Sequence, residues 1–465
     1  MKLKTITLAF IASMLIFQSA IAQLRLPNVL SDHMVLQRNT EINFWGWGGS
    51  NRPIKVIGSW FTDTVSTKVD YNGKWSLKLP KGEAGGPYQI KVISNNESIL
   101  LNDILLGDVF LCSGQSNMEW GGNQNLKEIM DELPSANNPN IRLLQVSRIA
   151  ANNPQEDINN NWSTLSAETL KPFSAIGYFI AKQLNKDLNV PIGVINASWG
   201  GTGAEVWTPN HLIENDPFLL KYAKMQDINA YRPYEGGVLW NSMVHPYAGY
   251  NLTAAYWYQG ESNVGYYPSY DKLMKTLVTS WRAAWNYDFP FYFVQIAPYA
   301  YNSKNEPRAA YLRELQSKTA LELQKSGMVV ITDLVDDIKN IHPNLKKDVA
   351  KRLADMTLAE VYDKPIKDCK SPIYKSHVVK GNTIEISFHY AENGLKSKGD
   401  ITELFIAGED QQFQVAKGTI KGDKLIVQSK EVKNPVAVRF GFSETAMPNL
   451  FNSQGLPVSP FRTDK

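Results

Sequence analysis

The chain has only two cysteines, Cys112 and Cys369, and six histidines in 465 residues. A scaffold built on disulfides is excluded. A single Cys112–Cys369 bridge stays open, although the apolar surroundings of Cys112 favour a buried free thiol. Charge of one sign is also missing, since 48 Lys+Arg stand against 45 Asp+Glu. Without Lys2 and Lys4, in an acid-free stretch of 22 residues, the balance is 46 to 45. That near-neutrality removes any global electrostatic case for nucleic acid. Beyond residue 22 no 18 residues run uninterrupted and apolar, so no membrane span is expected. His-Glu-x-x-His, Cys-x-x-Cys and the Walker loop are absent, and no metal or cofactor is expected.

What is present is a folded chain rich in aromatics, with 12 Trp and 21 Tyr. Its length predicts two or three domains and a core that needs no staple. Residues 1–22 read as a signal peptide. Lys2 and Lys4 form a basic start, Ile6 to Phe17 an apolar run, and Ala20-Ile21-Ala22 a cleavage site before Gln23. A lipid anchor would need Cys where Gln23 stands. The protein is therefore expected to be exported, either periplasmic or secreted.

Three regions follow. Residues 23–105 alternate apolar and polar side chains, as in Trp75, Leu77 and Leu79 or Tyr88, Ile90 and Val92, and predict a small β-sandwich. Asn72-Gly73 reads as a hairpin turn. Residues 106–364 change grammar. Apolar runs at 109–111, 192–195, 254–258, 291–296 and 328–331 alternate with helical stretches at 174–186, 269–285 and 308–325. This predicts an α/β region, a parallel sheet covered on both faces, with its chemistry beyond the carboxyl ends of the strands. Residues 365–465 return to β grammar around Ile384, Ile386 and Phe388 and around Gly422-Asp423. The two outer regions are expected to form one composite β layer.

Gly107 to Trp120 carries the most information. A buried strand runs into Gly114-Gln115-Ser116-Asn117, so Ser116 emerges at the end of the strand with its N–H free. Position 118 is Met, so this is not the Gly-x-Ser-x-Gly elbow. The run resembles the sialate O-acetylesterase family, carbohydrate esterases of the SGNH superfamily. Asn196-Ala197-Ser198-Trp199-Gly200-Gly201-Thr202 is similar to its second block and Trp257-Tyr258-Gln259-Gly260-Glu261-Ser262-Asn263 to its third. Ile341-His342-Pro343 with Lys351-Arg352-Leu353-Ala354 is similar to its last, and Gly455 to Asp464 to its usual finish. Four blocks in order cover the mature chain.

The resemblance implies an SGNH, flavodoxin-like sheet and a serine esterase. Ser116 would attack an acetyl carbonyl, with His342 as the base it needs. Of the six histidines, His342 is the one in a loop after a strand candidate and before a helix with Val349, Leu353 and Met356 on one face. The oxyanion would be met by the N–H of Ser116, a backbone N–H of Gly200-Gly201 (Gly201 preferred), and a side-chain amide. Gln259 is the first choice for that amide and Asn263 the alternative.

One departure stands out. Family members commonly have Asp three residues before the His, where this chain has Lys339. Asp337 is the expected third member, with Asp333 and Asp336 also near. A Ser–His pair oriented by a backbone carbonyl is the other option. Glu119 and Glu261 fit bracing roles near Ser116 better than a glycosidase pair. Trp45, Trp47, Trp60 and Trp75 read as sandwich core ahead of a sugar platform. The expected function is removal of O-acetyl groups from carbohydrate, sialic acid first. The rivals are an acetylesterase of xylan or pectin and a non-catalytic glycan-binding protein. The expected partner is an O-acetylated sugar or glycan. Oligomeric state is not readable.

Overall fold

The computed structural model describes residues 23–303 and 306–464. The expected signal peptide lies outside the described residues. Among those described, no helix is long and apolar enough to cross a membrane.

The N-terminal region holds β1 (Val35–Gln37), β2 (Ile42–Trp47), β3 (Pro53–Gly58), β4 (Val65–Lys68), β5 (Lys74–Leu79) and β6 (Gly85–Ser94). β2 pairs with β5, while β3 pairs with β4 and β6. Ile42, Phe44, Ile54, Val56, Trp75, Leu79, Ile90 and Val92 are buried in a shared core, which makes the region a small sandwich. Asn72-Gly73 is not the turn of a hairpin, because β4 and β5 belong to different sheets. The Asp70 carboxylate accepts the N–H groups of Asn72 and Lys74, both at 2.8 Å, and of this pair only Gly73 has positive φ. A turn gripped by an aspartate passes the chain from one sheet to the other.

β7 (Glu97–Gly114) is one continuous strand across the expected boundary near residue 105. Its first half pairs antiparallel with β6, and its middle, at Leu105, Leu106 and Gly107, pairs parallel with β1. Its second half lies between two strands of a parallel sheet. The burial changes with the partners: alternating in the first residues, then unbroken from Ile104 onward. That is the difference between a sheet with one wet face and one covered on both.

The parallel sheet adds β8 (Ile141–Gln145), β9 (Ser163–Thr164), β10 (Ile192–Ser198), β11 (Ala254–Tyr258), β12 (Phe291–Val294) and β13 (Ser326–Val329). The order is β13-β12-β11-β7-β10-β8-β9, with only β9 antiparallel. The chain builds one side of β7 first and the other side afterwards, so the crevice at the end of β7 is a topological switch point.

Side chains alternate between two cores. Val109, Leu111, Ile195, Trp257, Phe291 and Phe293 face one cluster, while Phe110, Cys112, Val194, Tyr256, Tyr292 and Val294 face the other. The helices divide accordingly. Besides the short α1 (Ser116–Glu119), α2 (Ala175–Leu188) and α5 (Lys346–Val361) cover the Phe110 face. On the opposite face lie α3 (Tyr270–Trp285) and α4 (Arg308–Glu322). Cys112 and Cys369 are free, and burial pushes the Cys112 thiol far up.

The C-terminal region forms its own antiparallel sheets around Ile384, Ile386, Leu404, Ile406, Leu425, Val427, Val438 and Phe440. It shares no sheet with the N-terminal sandwich among the described residues, so the two do not form one β layer. Its attachment runs through Arg313 of α4, which is fully buried. That guanidinium donates to the carbonyls of Ile296 at 3.2 Å, Ser443 at 2.8 Å and Glu444 at 2.7 Å.

Candidate active site

Gly114 ends β7 with φ of +133°, and a Cβ there would stand 2.2 Å from the Tyr258 carbonyl oxygen. Only glycine lets the two backbones close up at this point. The Gln115 N–H then donates to the same carbonyl at 3.0 Å, which turns the chain and starts α1 at Ser116. The serine is 9% exposed. Its N–H has no acceptor among the described residues.

His342 arrives from the loop between β13 and α5. Its Nε2 lies 2.8 Å from Ser116 Oγ, a distance at which imidazole can take the hydroxyl proton. Burial, and then the Lys346 ammonium, pull the imidazole down to about 4, so it is uncharged at neutral pH. The indole of Trp120 stacks on the imidazole.

Asp337 does not contact this histidine. Its carboxylate accepts the N–H of Lys339 at 2.8 Å, and its carbonyl accepts the N–H of Asn340 at 3.0 Å. The residue is spent on closing its own turn. Asp336 accepts from the Asn344 amide at 2.6 Å, and Asp333 pairs with Arg352. Among the described residues no carboxylate is hydrogen-bonded to the imidazole of His342.

The expected oxyanion donors separate into two groups. The Gly200 N–H is occupied, donating to the Glu119 carboxylate at 2.7 Å, whereas the Gly201 N–H has no acceptor among the described residues. Glu119 also pairs with Arg148 at 3.0 Å; burial raises its carboxyl despite both contacts. The Gln259 amide donates to the Thr202 carbonyl at 3.1 Å and to Asn263 Oδ1 at 2.7 Å, so both of its N–H groups are used. The Asn263 amide donates to Glu205, with 3.0 Å to each carboxylate oxygen. These two side chains brace the floor beneath the Gly200-Gly201 loop. Ser116 and Gly201 remain as backbone donors.

Sequence reasoning passed over three contributors. Trp120 was part of a quoted motif and had no role. Arg232 crosses the glycine loop, donating to the Gly201 carbonyl and, at 3.3 Å, to Ser262 Oγ. It has no acidic partner among the described residues. Lys346 is 1% exposed and lies one turn before Val349, Ala350 and Leu353, on their stripe. A lysine on an apolar stripe was the available signal.

Residues 106–361, more than half of the chain, match the family model described as carbohydrate esterase, sialic acid-specific acetylesterase. The chain belongs to that family. It is a carboxylic ester hydrolase, a carbohydrate acetylesterase. The human sialate O-acetylesterase is 29% identical over 71% of this chain and 69% of its own. The mouse sialate O-acetylesterase is 26% identical over 71% and 72%. A carbohydrate acetylesterase from Xanthomonas citri has 33% identity, covers 95% of this chain and 100% of its own, and superposes with a TM-score of 0.86. The architecture of this esterase, a parallel sheet with flanking β-rich sheets, is therefore a shared one.

Proposed function

We propose that this esterase removes O-acetyl groups from sialic acids by a Ser116–His342 mechanism. Ser116 Oγ attacks the acetyl carbonyl as His342 Nε2 takes its proton. The imidazolium then protonates the departing sugar hydroxyl, leaving an acetyl-enzyme. Water attacks that ester with the same histidine as base, and acetate leaves. The N–H groups of Ser116 and Gly201 hold the oxyanion. The observation that carries this reading is the 2.8 Å contact between Ser116 Oγ and His342 Nε2. No acid partner is assigned to the pair.

The sugar assignment is supported by the relatives named for sialate and by Arg232. An acid-free guanidinium beside Gly201 suits a substrate that brings its own carboxylate. A second reading, acetylated plant polysaccharide such as xylan or pectin, is compatible with the 33% identity to the Xanthomonas citri carbohydrate acetylesterase, which is named for no particular sugar. Export is part of the proposal and rests on the sequence of residues 1–22.

The deciding assay is acetate release by residues 23–465 and by Ser116→Ala. Its substrates are O-acetylated sialic acid, acetylated xylan and a neutral acetyl ester. Serine-dependent release from the sialic acid, weakened about tenfold or more in KM by Arg232→Gln with the neutral ester unaffected, supports the reading. Release from xylan alone moves the enzyme to plant polysaccharide. Turnover unaffected by Ser116→Ala overturns the mechanism.

A further inference from the structure

Two buried ionisable side chains beside the catalytic pair have no part in the acyl-transfer scheme. Glu261 is 7% exposed and Lys346 1% exposed. They form no direct ion pair among the described residues. Both instead bind one amide, that of Asn117, the residue after the nucleophile. Lys346 Nζ donates to Asn117 Oδ1 at 2.5 Å, and Asn117 Nδ2 donates to Glu261 Oε1 at 2.6 Å. The same Nδ2 donates to the carbonyl of Ile341 at 3.0 Å, and Ile341 precedes the base. The amide's orientation is fixed by chemistry, because an ammonium only donates and a carboxylate only accepts.

We propose that Asn117, Lys346 and Glu261 form a buried positioning unit that ties the nucleophile loop to the base loop. The inference deepens the Ser116–His342 reading and rests on it. The geometry accounts for the tie. One side chain joins the peptide that follows Ser116 to the peptide that precedes His342, across a reactive contact where an error of about 1 Å can cost a hundredfold in rate. The ends of the amide are held by charges, and hydrogen bonds to charged groups are roughly twice as strong as neutral ones.

Electrostatics supports the same unit. Burying an ammonium costs several kcal/mol, and apolar replacements of such charges are often more stable. A buried lysine here is a cost without a stability return. The Lys346 charge opposes protonation of His342. Burial lowers Lys346 itself to about 7, and Glu261, Glu128 and Asp336 pull the other way, in favour of its charge. Burial raises the Glu261 carboxyl in turn, and its contact with the unit is the bond it accepts from the Asn117 amide.

The test combines NMR titration of the His342 ring with the pH dependence of kcat/KM for p-nitrophenyl acetate in the mature chain. Lys346→Met should move both the ring titration and the acid limb upward by about one pH unit. Asn117→Ala should lower kcat by about tenfold or more with KM within about twofold. The double variant should fall short of the product of the two, because the residues act as one unit. If Lys346→Met does not fold, Lys346→Gln removes the charge and keeps a donor, and the same upward shift is expected. A folded Asn117→Ala with kcat within about twofold of the unmodified enzyme, or a double variant that reaches the full product of the two single losses, overturns the inference. Failure of a fluorophosphonate to label Ser116 in the unmodified enzyme would instead sink the Ser116–His342 reading.

Discussion

The Trp120 indole lies on the His342 imidazole with ring centroids 3.8 Å apart and planes inclined by 23°. Trp120 is the C-cap of the helix that Ser116 begins, so Ser116 and His342 are joined by stacking as well as by the hydrogen bond. Aromatic contacts of this kind contribute about 0.5–1.5 kcal/mol. Trp120→Ala should therefore lower kcat roughly two- to tenfold, with KM for a small acetyl ester little changed. Steady-state kinetics on p-nitrophenyl acetate check this; an unchanged kcat would deny the ring any part in holding the base.

The pH behaviour follows from the lowered imidazole. Because the folded value is about 4 against an ordinary 6.5, His342 stays uncharged across the mildly acidic range, as the proposed base must. We expect kcat/KM to stay level from pH 8 to below 6 and to fall only toward pH 4. Stability has the same sign. The contribution of this histidine is fully present above about 6.5 and is lost as pH falls through 4, since the unfolded chain takes up the proton first. A profile with its acid midpoint at 6.5 would contradict the burial and charge argument.

Asp337→Ala should retain kcat within about threefold, because the carboxylate it removes bonds the Lys339 N–H and not the imidazole. His342→Ala, measured beside it, should abolish turnover. Comparable losses in the two would return Asp337 to the catalytic machinery.

Arg313 predicts a stability effect remote from the chemistry. Arg313→Ala would leave the carbonyls of Ile296 and Ser443 without a donor, at about 1–3 kcal/mol for each unsatisfied group, while the Glu444 carbonyl would keep only the Tyr299 N–H. The expected loss is on the order of 3 kcal/mol or more in urea unfolding. Limited proteolysis should then cut first in the region after residue 365. A variant as stable as the parent would mean that the C-terminal sheets are held elsewhere.

The strands of the parallel sheet were legible because a covered strand is a short apolar run, as at 254–258 and 291–296. The runs that became β11 and β12 were placed within two residues at either end. β8 was not anticipated, since Arg142 interrupts its apolar pattern; the structure buries that side chain and pairs it with Asp103. Ser116 and His342 were legible from motif and position, and the structure sets them 2.8 Å apart. The partners of Asp337, Gln259 and Asn263 were not. An amide or carboxylate advertises its capacity to bond, but the choice among partners is made in three dimensions. Gln259 meets Thr202 and Asn263 only when two different strand ends come together.

The long strand β7 has a consequence for how such a protein can be rearranged. Eighteen extended residues, about 60 Å, run as a single rod from the edge of the sandwich to the residue two before Ser116. The seam that composition suggests at residue 105 is therefore no place for a crossover between genes. A recombinant joined there must match two hydrogen-bond registers at once, with β6 on one side and with β10 and β11 on the other. The sandwich and the catalytic sheet are inherited together or not at all.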